Sequence, residues 1–87
     1  MNKLLIEFLA TMVFTFIVFA SGNYLVMGAT LSVLVYLSNG YALVNPILAF
    51  SKWLNGTFNI AYMFKIVLVE MVGALLGLYL YKFIYGI

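Results

Sequence analysis

Two carboxylates, four ammonium groups and one Asn-Pro pair carry almost all the polar chemistry of this chain. Glu7 and Glu70 are the only acids, and Lys3, Lys52, Lys65 and Lys82 are the only bases. Cysteine and histidine are absent, which removes disulfides, thiolate chemistry, imidazole general bases and the commonest metal ligands. No enzymatic activity, metal or cofactor is expected from such a set. The net charge of +2 is spread over isolated lysines, so no basic patch for nucleic acid forms. Both acids fall inside apolar segments, where a carboxylate has two roles open to it. It can relay protons or hold a cation, or it can accept hydrogen bonds from backbone N–H groups that lack other partners.

Asn45-Pro46 is the second polar feature. Asn45 suits an N-cap, and Pro46 suits the first helical position, where its missing N–H costs nothing and its φ is already helical. Residues 46–54 then form a helix of only ~13 Å, about half a bilayer. Lys52 and Trp53 are interfacial residues and Asn55-Gly56 is a stop, so this half-helix returns to the side from which its loop entered. Its unpaired N–H groups and positive dipole end point to the membrane centre and oppose cations. The Asn45 amide caps the helix with its oxygen and donates into a lumen with its NH₂, gripping a passing water through the water's oxygen. Leu43, Val44, Asn45, Pro46, Ile47 and Leu48 surround the start of this half-helix. The other reading of the dipeptide is an ordinary turn that starts a short interfacial helix.

The elements that position these groups follow from composition. Hydrophobic residues make up 68% of the chain, charged residues 7%, and the mean hydropathy is +1.23, which leaves too little polar surface for a water-soluble domain. An integral membrane protein is expected, in a membrane that the sequence does not identify. Residues 4–20 form a first spanning helix. A cleavable signal peptide has a similar pattern, although Glu7 interrupts its apolar core. Residues 25–38 form a second helix, in which Gly28 and Ser32 make a small-residue stripe for close packing. Residues 39–54 form the re-entrant loop and half-helix, and residues 58–82 a last spanning helix, where Gly73 and Gly77 form a GxxxG pattern. The expected fold is a single all-α membrane domain over 1–87, with three transmembrane helices plus one re-entrant half-helix.

Three stretches add a resemblance. Ile6-Glu7-Phe8-Leu9-Ala10-Thr11, the loop Gly40 to Leu48 around Asn45-Pro46, and Glu70-Met71-Val72-Gly73-Ala74 stand in the order found in one half of an aquaporin (major intrinsic protein), and the match runs from Glu7 to about Tyr81. The chain resembles one inverted repeat of that family, whose members carry two such loops. The resemblance implies that Glu7 braces the re-entrant loop, with Glu70 as a second bracing residue at a place where many members have glutamine. It also implies a passive channel for water and other small neutral solutes, with Leu43, Val44, Asn45, Pro46, Ile47 and Leu48 as its pore and selectivity residues. The pore would lie at the interface of an antiparallel homodimer in the lipid bilayer, with four dimers assembling as whole aquaporins form tetramers.

Several positions depart from the family. Ile47 replaces the alanine of Asn-Pro-Ala, Leu43 replaces a frequent histidine, and Leu48 stands where the second loop usually has an arginine; this chain has no arginine. Two alternatives therefore stand beside the water channel. One is a non-conducting structural or partner-binding membrane protein whose lumen Ile47 plugs. The other is a channel for ammonia, hydrogen peroxide or ions.

Overall fold

The computed structural model describes residues 2–38 and 44–86, and these fold as four helices: α1 (Lys3–Ser21), α2 (Tyr24–Leu37), α3 (Pro46–Leu54) and α4 (Ile60–Tyr85). Each begins at an asparagine. Asn2, Asn23, Asn45 and Asn59 all cap with the side-chain oxygen, which accepts a backbone N–H of the first turn. Gly22 and Gly86 close α1 and α4 in the left-handed region, at φ of 61° and 70°.

The last helix is shifted from the expected 58–82. The N–H groups of Thr57 and Phe58 donate to the Lys52 carbonyl, which keeps both residues in the turn after α3. Asn59 then caps the new helix, which runs on through Gly73 and Gly77 to its C-cap at Gly86.

Among the described residues, only α1 and α4 are long and apolar enough to cross a membrane. The 14 residues of α2 rise ~21 Å as a helix, short of a ~30 Å hydrocarbon core. The most apolar windows of α1 and α4 are only 17% and 28% buried within the chain, so most of their surface needs lipid or another protein to cover it.

Contacts between α1 and α4 advance together along both helices. Gly73 meets Phe8 and Thr11, Gly77 meets Met12 and Thr15, and Tyr81 meets Phe16 and Phe19, so the two helices run parallel. This is the most extensive contact among the described elements. The two glycines make it possible, because a Cβ on Gly73 would stand 2.7 Å from the Phe8 carbonyl oxygen. The two-residue turn after Ser21 makes α2 an antiparallel partner of α1. Gly28 and Ser32 do not join a helix contact: nothing lies within 4 Å of a Cβ placed on Gly28, and the Ser32 hydroxyl donates to the Gly28 carbonyl. The stripe expected to pack closely therefore faces outward from the chain.

The half-length helix α3 folds back along the first half of α4. Ala49, Met63 and Ile66 form its buried core, with Leu4, Trp53 and Tyr62 packed around them. The molecule is 42 Å long, about the full thickness of a bilayer with its headgroups.

Candidate functional site

The candidate site lies at the start of α3. Asn45 Oδ1 accepts the Ile47 N–H at 2.9 Å, and the Asn45 carbonyl accepts from Leu48 at 3.1 Å and Ala49 at 3.4 Å. Pro46 occupies the first helical position. Ala49 is fully buried against α4, whereas Asn45, Pro46, Ile47 and Leu48 are exposed at the tip. Ile47 retains 69% of its accessible surface, so the bulky residue at this place points away from its own chain. Leu43 lies outside the described residues.

Val44, immediately before the cap, has φ of 58°. A β-branched residue is disfavoured there by ~1–2 kcal/mol, because its side chain crowds the following carbonyl. The surrounding structure must hold it, and Glu7 supplies one restraint: Glu7 Oε1 accepts the Val44 N–H at 2.5 Å. Glu7 is completely buried. The charge-assisted bond reaches across 37 positions of sequence.

Glu70 comes to the same place from α4. Gly73 and Gly77, three and seven residues further on, lie on the same helical face and bring α4 close to α1. The Glu70 carboxyl consequently sits within electrostatic reach of Glu7 and of the Asn45 backbone amide. Neither makes a well-formed hydrogen bond to it. Glu70 is 3% exposed and both its oxygens lack a partner among the described residues; the Thr11 hydroxyl, 4% exposed, also lacks one. No group of three or more residues able to hold a metal ion occurs among the described residues.

Beside them, at the tip of α3, lies a largely apolar cavity of about 280 Å³, lined by Thr11, Thr15 and Phe14 of α1, by Val44 and Pro46, and by Glu70 and Met71 of α4. No family model, curated protein or solved structure matches this chain. The reading of the site therefore rests on its own geometry.

That geometry brings together Glu7, Glu70, Val44, Asn45 and Pro46, and it places Gly73 and Gly77 behind them as spacers. Gly28 and Ser32 stand apart. Thr11 and Thr15 are lining residues that motif reading passed over, although a signal existed: they follow Glu7 by four and eight positions, on one face of a helix. The left-handed Val44 had no local signal, since valine is among the residues least suited to that conformation.

Proposed function

We propose that this chain is an integral membrane protein that forms one half of a passive channel for water and other small neutral solutes. A second copy, inserted with the opposite orientation, completes the pore. In this reading α1 and α4 span the bilayer, α2 crosses as a third helix with help from its flanking residues, and α3 is a re-entrant half-helix. The assembly corresponds to two aquaporin-like repeats, and four such dimers would assemble together.

One observation carries the proposal: an Asn-capped helix of nine residues starts beside two buried carboxylates, alongside the middle of a helix long enough to cross the membrane. Non-helical backbone at that depth is tolerated only where protein buries it or where it lines a polar cavity. The exposed tip residues and the open cavity lack cover in a single chain, and an inverted copy would bring a second Asn45 tip to the same level. Water would pass Asn45 by exchanging hydrogen bonds, without covalent chemistry.

Osmotic stopped-flow on reconstituted vesicles tests this directly. Shrinkage faster than in protein-free vesicles supports the channel. Rates equal to protein-free vesicles, for water and for small solutes, support the non-conducting reading. The exposed Ile47 gives that second reading its footing, because two such side chains would meet at the centre of a symmetric pore.

A further inference from the structure

The cavity at the tip of α3 lies on one flank of the contact between α1 and α4, against Glu70 and Met71. On the opposite flank a groove of about 510 Å³ runs beside the start of α1. Leu5 and Phe8 of α1 and Leu68, Val69 and Val72 of α4 line it, and Asn2 is its one polar lining residue. Lys65 belongs to the same face of α4, because positions 65, 68, 69 and 72 follow the i, i+3, i+4, i+7 spacing of one helical stripe. Gly73 against Phe8 and Thr11 fixes the register of the two parallel helices, which sets Lys65 about level with Asn2, at the mouth of the groove. Helical side chains lean towards the N-terminus of their helix, so the exposed Lys65 leads its ammonium away from the apolar stretch. The 26 residues of α4 rise ~39 Å, which exceeds a hydrocarbon core by ~9 Å. Five residues from the helix start, Lys65 therefore stands close to the headgroup boundary and reaches it by snorkelling.

We propose that this groove holds one acyl chain of an anionic phospholipid, of the phosphatidylglycerol type, whose phosphate sits against Lys65 and Asn2. The occupant must be apolar along its length and anionic at one end, and a phospholipid is both. A second copy of this chain brings no acidic side chain to Lys65, since the only two, Glu7 and Glu70, are buried. The Asn2 oxygen caps α1 by accepting the Leu4 N–H at 2.7 Å, and the Asn2 NH₂ is a donor for a phosphate or ester oxygen. Lys3 in the first turn of α1 and Lys52 in the last turn of α3 add positive charge at the same end of the chain. A zwitterionic headgroup carries its own ammonium beside the phosphate and gains less from that end. The site rests on the reading of the chain as a membrane protein and not on conduction. It lies on the flank away from the tip of α3, where the proposed second copy docks.

Native mass spectrometry tests the site on the full-length protein released from micelles that contain equal amounts of phosphatidylglycerol and phosphatidylcholine with the same acyl chains. One phosphatidylglycerol per chain should be retained, at about five-fold or greater preference over phosphatidylcholine. Lys65→Gln should lower that preference about five-fold, and Lys82→Gln, at the other end of α4, should leave it unchanged. Val72→Trp fills the groove and should remove the retained lipid; if that variant misfolds, Leu68→Trp on the same exposed face takes its place. Equal retention of the two lipids, an unchanged preference in Lys65→Gln, equal losses in Lys65→Gln and Lys82→Gln, or a lipid still retained by the folded tryptophan variant overturns the proposal. Flotation with phosphatidylcholine vesicles separates the two readings. A protein that floats with the vesicles and shows no lipid preference loses this site alone, whereas one that does not float loses the membrane reading and the site with it.

Discussion

Gly77 approaches Met12 so closely that a Cβ on Gly77 would stand 2.5 Å from the Met12 carbonyl oxygen and 2.9 Å from the Cβ of Thr15. The first obstacle is backbone and cannot rotate away. Gly77→Ala should therefore push α1 and α4 apart and destabilise the fold by ~1–3 kcal/mol. Gly28→Ala, at a glycine with open space around it, should be neutral or slightly stabilising, by up to ~1 kcal/mol of helix propensity. Helicity followed by circular dichroism during titration of mixed micelles with a denaturing detergent gives both values. Equal effects at the two glycines would remove the packing role assigned to Gly77.

Glu7 should behave as a brace for the segment that precedes α3. Glu7→Gln keeps an acceptor for the Val44 N–H and should still assemble, whereas Glu7→Leu leaves a donor unpaired at ~1–3 kcal/mol and frees Val44 from its left-handed conformation. Native gel migration and size-exclusion chromatography in mild detergent should show intact oligomers for the first variant and lost ones for the second. Normal assembly and permeability in Glu7→Leu would shift the residue's role towards proton relay.

Ile47 should limit flow. Its side chain is exposed at the tip of α3, and in a two-fold pore it occurs twice beside the central asparagines. Ile47→Ala should raise osmotic water permeability several-fold over the parent, which itself conducts slowly, with negligible ionic current. Vesicles that stay impermeable with Ile47→Ala would argue for the non-conducting reading, and a robust cation current in planar bilayers would show that the α3 dipoles, partly offset by Glu7 and Glu70, do not exclude ions.

Topology provides an independent check. Lys3 and Lys52 lie at one end of the proposed bundle with Lys65 nearest to it, and Lys82 lies at the other, a bias of three to one at most that is modest but works against equal insertion both ways. Reporter fusions at the C-terminus should reveal both orientations. One orientation alone would exclude the antiparallel homodimer and call for a partner chain with the complementary half.

The helices and their ends were largely legible from sequence, because they depend on local chemistry. Asn45-Pro46 starts α3 and Asn55-Gly56 ends it, with a cap, a fixed φ and a stop that act within a few residues. The apolar composition likewise sets the length of α1 and α4 without any tertiary information. Which faces meet was not legible. These helices are apolar on every side, so hydrophobic periodicity does not mark an inner face. Two small-residue pairs competed for that role, and steric fit selected Gly73 and Gly77 over Gly28 and Ser32. That choice sets the register of α4 on α1, and the register alone carries Glu70 across 63 residues of sequence to Glu7 and the tip of α3. The brace, the strained Val44 and the buried, unpartnered oxygens of Glu70 and Thr11 all follow from close helix approach, a property of shape that residue types anticipate only in part.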